Sequence, residues 1–292
     1  MRSWREGAER LRAAGVASPD ADARLLLAHV LEVPLLRLPI AGEPDAEQRA
    51  AYVALIERRA AREPLQHLTG TAPFRRVELA VGPGVFVPRP ETELLAGWAV
   101  AQAQSVRDAD GRDPVVVDLG TGSGAIARAV VDEVEGVRVH AVEVDEAAHA
   151  WAGRNLAGTG VDLRLGDLAE AFGDLDGEVD VVVSNPPYIP TTAWESVAPE
   201  ARDHDPATAL WSGEDGLDAI RAVERRAAAL LRPGGVVGVE HADAQGEAAP
   251  AVLAATGRWA EVRDHDDLAG RARFVTARLV RRDVPGGAAE EG

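Results

Sequence analysis

Apolar positions recur with two different rhythms along the 292 residues. From residue 114 onward, short continuous apolar runs alternate with stretches whose apolar positions repeat every three or four residues. The runs predict strands over 115–119, 137–144, 161–165, 179–184, 236–240, 261–263 and 273–279. The longer-period stretches predict helices over 125–134, 146–156, 216–231 and 245–255. Pro233-Gly234-Gly235 stops the third of these helices. Strands without polar alternation are buried on both faces, and their alternation with helices implies a doubly wound sheet. The expected fold is therefore α/β, with a mostly parallel, seven-stranded Rossmann-like sheet.

Residues 1–63 keep a helical rhythm only. Ala8 and Leu11 precede a stop at Gly15. Ser18-Pro19-Asp20 opens a second helix with apolar positions Ala21, Leu25, Leu26 and Val30. A third helix, over 44–61, places Tyr52, Leu55 and Ile56 inward. Within 64–90, the alternating runs Val77-Leu79-Val81 and Val85-Phe86-Val87 flank Gly82-Pro83-Gly84 and predict a β-hairpin. Arg89-Pro90-Glu91-Thr92-Glu93 then opens a helix carrying Leu94, Leu95 and Trp98. The expected organisation is a helical domain over 1–68, a hairpin linker over 69–90, a catalytic domain over 91–283 and a disordered tail over 284–292. The helical domain has no catalytic cluster; it reads equally as a stabilising cap or as a partner-recognition module.

Composition narrows the function classes. Cysteine is absent, so there is neither a disulfide framework nor a thiolate metal site. The seven His show no ligand spacing, and no metal is expected. No apolar run reaches membrane-spanning length, and the charged N-terminus lacks an apolar signal core, so a cytoplasmic protein without membrane contact is expected. Ser184 lacks the G-x-S-x-G setting of a hydrolase nucleophile. All 31 basic residues are Arg. Residues 1–90 carry 13 Arg against 11 acidic residues, whereas residues 91–292 carry 18 against 37. Such an acidic half is a poor surface for a phosphate backbone, but it accommodates a cationic cofactor or a basic protein partner. Solubility alone would also account for it.

The chemistry concentrates where the predicted strands end. The strand at 179–184 runs into Asn185-Pro186-Pro187-Tyr188. Two consecutive prolines lack N–H groups and end the ladder, leaving Asn185 and Tyr188 on a stiff turn at the sheet's carboxyl edge. The Asn185 side-chain oxygen and the Pro186 carbonyl can accept the two N–H groups of an amide, Pro187 cannot donate to those acceptors, and Tyr188 can lie against a planar group. Such acceptors disperse the positive charge that grows on nitrogen during methyl transfer. Upstream, Asp118-Leu119-Gly120-Thr121-Gly122-Ser123-Gly124 joins a strand to a helix. Its glycines permit close backbone approach, yet the order departs from G-x-G-x-x-G, and no nucleotide-triphosphate loop is present. Glu143, 19 residues beyond Gly124, can accept from two ribose hydroxyls, and Asp167 from an adenine amino group with Leu168 against the ring. Together these strand ends favour S-adenosylmethionine.

The segments VPRPETELL (87–95), DLGTGSGAIA (118–127), VSNPPYIP (183–190), ALWSGEDGLDAIR (209–221) and DLAGRARFV (267–275) together resemble the peptide chain release factor glutamine methyltransferase family over about residues 8 to 280. The resemblance implies methylation of the glutamine amide nitrogen in the Gly-Gly-Gln loop of bacterial class I release factors, with the helical domain helping to bind the release factor. By position, Gly120 to Gly124, Glu143, Leu168 and Asn185 match cofactor contacts, and Asn185 to Tyr188 match substrate contacts. Glu143 stands where the family often has Asp, and Leu168 where some members carry an aromatic residue. The alternatives are a ribosomal protein glutamine methyltransferase, a nucleic-acid adenine methyltransferase and a non-catalytic cofactor-binding protein. The acidic catalytic half disfavours direct nucleic-acid contact, and a monomer is expected.

Overall fold

The computed structural model describes residues 3–280; the expected tail over 284–292 lies outside them. The chain divides into two compact units. One comprises residues up to 72 with 81–87 and 197–205; the other comprises 73–80, 88–196 and the residues from 206 on.

The first unit is built on four helices: α1 (Ser3–Ala13), α2 (Pro19–Val30), α3 (Ala46–Ala60) and α4 (Leu65–Thr69), with a 3-10 turn at Leu35–Ile40. Pro19 fits the first turn of α2, where its missing N–H is not needed. Asp45 and Gln48 form a reciprocal capping box at the start of α3. Leu11, Leu26, Leu27, Tyr52, Ile56 and Leu68 meet in one apolar core, and the Tyr52 hydroxyl donates to the Ala23 carbonyl at 3.2 Å. Beside that core Arg59 donates to Asp22 at 2.8 Å, both side chains being buried. Arg59 and Arg62 also grip Glu200, which stands on a short helix, α8 (Pro199–His204), returned to this unit from much later in the chain.

The two-stranded sheet pairs β1 (Thr71–Phe74) with β2 (Val77–Ala80), one run upstream of the expected hairpin. Arg75 takes the left-handed turn position (φ 52°) and is held by a fork of hydrogen bonds to Glu133 at 2.6 and 2.8 Å. Residues 82–90 contain Pro83, Pro88 and Pro90, which cannot donate to a ladder. Val85 and Val87 are accordingly buried as irregular chain and not as a strand.

The second unit holds the seven-stranded sheet, in the order β5-β4-β3-β6-β7-β9-β8. Its strands are β3 (Val115–Leu119), β4 (Arg138–Glu143), β5 (Asp162–Leu165), β6 (Val179–Ser184), β7 (Leu231–Glu240), β8 (Trp259–Asp266) and β9 (Ala272–Leu279). All neighbours pair in parallel except β7–β9 and β8–β9. Helices α5 (Thr92–Asp110), α6 (Ala125–Glu133), α7 (Glu146–Asn155), α9 (Asp218–Leu230) and α10 (Ala248–Ala254) accompany the sheet. Every residue of β3 and β6 is buried, including the polar Asp118, Asp180 and Ser184, which is why both are predominantly apolar on both faces. β7 begins at Leu231, earlier than expected: Leu231 already pairs with Val179, and 232–235 bulge before pairing resumes at Val236 with Val181. The strand order reverses between β3 and β6, so the crevice at their carboxyl ends is the ligand position of this architecture.

Candidate active site

The loop after β3 is held from below by its own strand. Oδ2 of Asp118 accepts from the Thr121 hydroxyl at 2.6 Å and from the Ala127 N–H of α6 at 3.2 Å. Gly120 and Thr121 both donate to the Val142 carbonyl of β4. Gly120, Gly122 and Gly124 have φ of 75°, 57° and 82°, which side-chain-bearing residues rarely adopt. At Gly122 a β-carbon would meet nothing within 4 Å, so this part of the backbone borders open space. Asn155 at the end of α7 donates to the Ser123 carbonyl at 2.8 Å and exchanges hydrogen bonds with both backbone groups of Ala80. The hairpin thereby fixes the loop.

Glu143 ends β4 directly beside that loop. Its Oε2 accepts from Gly122 N–H at 2.8 Å, and its Oε1 from Val144 and Asp145 N–H at 2.9 Å each. The carboxylate is thus aimed by three backbone donors. Leu168 packs on the apolar core of the sheet and lies 3.8 Å from where a Gly120 β-carbon would be. Asp167 is exposed and accepts from Ala169 N–H at 2.8 Å. Burial dominates the titration of Asp118, whose carboxyl is pushed up to about 7; the Thr121 and Ala127 hydrogen bonds oppose that rise.

The turn after β6 is fixed as firmly. Ser184 donates to the Leu119 carbonyl at 2.6 Å and ties β6 to β3. Nδ2 of Asn185 donates to the Thr92 hydroxyl oxygen at 3.2 Å. Pro186 is buried, and Pro187 and Tyr188 are half-buried. The Tyr188 carbonyl accepts from Gln245 at 3.1 Å. Ile189 N–H donates to the Leu210 carbonyl, and the Ile189 carbonyl accepts from Ser212 N–H. Burial raises the Tyr188 phenol above its ordinary range, and the nearby Glu240 adds to the effect.

Strand-end reading brings together Asp118, Gly120 to Gly124, Glu143, Leu168 and Asn185 to Tyr188 on adjacent strands β5, β4, β3 and β6; Asp167 follows β5 at the same edge. Thr92 and Glu240, which no strand-end motif singles out, lie beside these residues. Arg273 pairs with Asp267, at 3.0 Å, but its side chain is largely buried and its charge bears on Tyr188 and Glu240. Glu240 is 1% exposed and ends β7, which pairs with β6. Its position at the end of the apolar run VVGVE was the available signal.

The donor set fits a nucleoside-bearing cofactor: an open glycine backbone, an oriented carboxylate one strand away and an apolar side chain on the next. Among the described residues no group of three His, Asp or Glu could hold a metal ion, and no helix is long and apolar enough to cross a membrane. Fold and site together define an S-adenosylmethionine-dependent methyltransferase.

Two family descriptions match the chain: the PrmC N-terminal domain over residues 3–70 and the methyltransferase small domain over 103–201. A release factor glutamine methyltransferase of Streptomyces coelicolor is 58% identical over 94% of this chain and 95% of its own length. A protein of Streptomyces pristinaespiralis named 4-amino-L-phenylalanine/4-methylamino-L-phenylalanine methyltransferase is 42% identical over 87% of each chain. The hMettl16 catalytic domain, solved with an RNA hairpin, shares the fold, with a TM-score of 0.54 at 14% identity over 70% of this chain and 77% of that one. The chain belongs to the release factor glutamine methyltransferase family.

Proposed function

We propose that the chain transfers a methyl group from S-adenosylmethionine to the side-chain amide nitrogen of the glutamine in the Gly-Gly-Gln loop of bacterial class I release factors. The observation that carries this reading is the inward tether of Asn185. With Nδ2 committed to Thr92, the trigonal amide keeps Oδ1 on its other side, free to accept from a substrate. That oxygen and the Pro186 carbonyl supply two acceptors for one primary amide. Gly120 to Gly124 would receive the cofactor's amino-acid portion and Glu143 its ribose. Asp167 and Leu168 would border its adenine, and Asp118 would hold the loop. The bound cofactor supplies a methyl carbon made electrophilic by a sulfonium. Asn185 and Pro186 orient the substrate nitrogen and disperse its developing positive charge, and Tyr188 stacks on its plane. The proton leaves to water afterwards, since no described group here is a strong base toward it.

Residues 1–68 act as the substrate-recognition domain in this reading, joined by the 69–90 linker to the catalytic domain over 91–283. A cleft of about 520 Å³ in the helical unit, lined by Trp4, Arg24, Leu27, Leu31, Leu36 and Pro39, supports this role. The protein works as a cytoplasmic monomer without contacting nucleic acid. The arylamine named for the Streptomyces pristinaespiralis relative is a second planar nitrogen that the same turn could hold. The deciding assay offers labelled S-adenosylmethionine with release factor, ribosomal protein, DNA or 4-aminophenylalanine in separate reactions. Label is expected in the release factor, and absent when its loop glutamine is replaced. Asn185→Ala should cut turnover about 100-fold or more while cofactor affinity changes far less. Label confined to any other acceptor would overturn the assignment.

A further inference from the structure

We propose that Glu240 and Thr92 form a directional hydrogen-bond relay that sets which end of the Asn185 amide faces the substrate. The proposal deepens the methyl-transfer reading and rests on it for its kinetic consequence only. An asparagine amide is nearly symmetric in shape, and either end fits the same space. If NH₂ faced the crevice, Asn185 would present donors to a substrate amide that is itself a donor. The site would then lose the acceptor that its chemistry needs. Something behind Asn185 must therefore discriminate oxygen from nitrogen.

Thr92 alone cannot do so, because a hydroxyl donates or accepts equally well. Glu240 removes the ambiguity. An ionised carboxylate is an acceptor only, and hydrogen bonding from Thr92 and Asn185 holds the buried Glu240 carboxyl down against its desolvation. The single Thr92 hydroxyl proton is consumed there, so toward Asn185 the hydroxyl oxygen can only accept. Both neighbours of the inner amide end are then acceptors, and that end must be Nδ2; it stands 3.2 Å from Thr92 Oγ1. The relay is sealed from competing water. Glu240 is 1% exposed and Thr92 4%, and Oε2 of Glu240 has no hydrogen-bond partner among the described residues.

The relay is also switchable. Protonated Glu240 would have a proton to donate, Thr92 could reverse, and the inner position would accept either end of Asn185. Burial raises the Glu240 carboxyl to about 7; hydrogen bonding from Thr92 and Asn185 and the Arg273 charge of β9 oppose the rise, and Glu91 beside α5 adds to it. Tyr188 from the turn after β6 faces the same group, and His241, which follows β7, is turned to Asp264 at 2.8 Å. Turnover should therefore rise with pH as Glu240 ionises.

The chain has only two asparagines, Asn155 and Asn185, so selective ¹⁵N-asparagine labelling leaves two side-chain NH₂ pairs. In the full-length protein the Asn185 pair should shift with pH with a midpoint near 7, and the Asn155 pair should not. Glu240→Gln should abolish that titration and lower kcat toward the release factor roughly 10- to 100-fold, with KM for the cofactor little changed. Its pH profile should lose the acid limb. Thr92→Ser should retain activity and Thr92→Val should lose it. This titration uses no substrate, so it decides the relay even if the release factor is not the acceptor. An Asn185 pair that does not titrate between pH 5.5 and 8.5, or that titrates unchanged in Glu240→Gln, overturns the proposal. So does a folded Glu240→Gln enzyme with wild-type kcat and pH profile.

Discussion

Asp118 gives up its hydration to hold the glycine loop, and pH reveals the cost. It is 1% exposed, with Oδ2 bonded to Thr121 and Ala127 and Oδ1 buried without a partner among the described residues. Its folded-state pKa, about 7, lies above the ordinary carboxyl value, as does that of Glu240, also about 7. A raised carboxyl pKa means the folded state retains a proton that the unfolded chain has released. The stability contribution is complete below about pH 4 and is lost as pH rises toward 7. Carboxyls held low by Arg partners act in a different window; Asp174, lowered to about 2 by Arg164, loses its contribution only as pH falls through that value. Wild-type stability should therefore decline between about pH 4.5 and 7, by up to about 1.4 kcal/mol per pH unit for each retained proton. Asp118→Asn should flatten this decline by one proton's worth, and urea unfolding at pH 5, 6, 7 and 8 measures it; an unchanged slope would mean that Asp118 is ionised in the folded protein throughout. The residue scale is also where the sequence was least informative. Asn185 declared itself through the proline pair behind it, and the loop through its glycines. Glu240 looks like any solvated strand-end acid, because the Thr92 and Asn185 that consume it lie far away in the chain.

At the scale of elements, periodicity was clearest for the central strands of the large sheet, where burial on both faces leaves mostly apolar residues, whereas the edge strands β5 and β8 are largely half-buried or exposed. It failed where backbone geometry, not burial, sets the limits. The hairpin slid by one run because Arg75 tolerates a left-handed turn when gripped by Glu133. β7 starts early because its bulge absorbs Pro233, Gly234 and Gly235, residues that otherwise read as a stop. Helix α8 is polar in composition and is retained by Arg59 and Arg62 through Glu200, a tertiary cause invisible to local pattern. The segment behind the catalytic turn follows the same logic. Gly216 has φ of 77°, and a β-carbon there would collide with the Tyr188 carbonyl and stand 2.8 Å from Gln245 Nε2. Gly216→Ala should therefore displace Tyr188 as well as strain its own backbone. The expected outcome is about 1 kcal/mol or more of lost stability and a fall in kcat of roughly tenfold or more, read from thermal unfolding and steady-state methylation. A stability loss with kcat intact would show that the turn does not depend on this support.

Across the whole molecule, charge and apolar exposure are distributed differently from the chemistry. Residues 91–292 carry 18 Arg against 37 acidic residues, so the part bearing Asn185 repels a phosphate backbone. Recognition of a protein substrate must then draw energy from surfaces that do not react. The helical unit supplies one candidate: Leu36 is 94% exposed and Ile40 84%, and Leu36 lines the cleft with Trp4 and Leu31. Large apolar side chains this exposed, both on the 3-10 turn Leu35–Ile40, fit a docking face better than a solvated surface. Neither residue lies near Asn185 in sequence or belongs to the catalytic unit, so contacts they make with a release factor are the same in the ground state and the transition state. Losing such uniform binding raises KM and leaves kcat unchanged. Burying one Leu side chain is worth about 1.5–3 kcal/mol, which corresponds to a rise of roughly 10- to 100-fold. Leu36→Asp and Ile40→Asp should each raise KM for the release factor within or near that range, with kcat and cofactor affinity unchanged and with the fold intact by circular dichroism. A KM that does not move would place the docking surface elsewhere, whereas a fall in kcat would mean that this face helps assemble the reacting geometry.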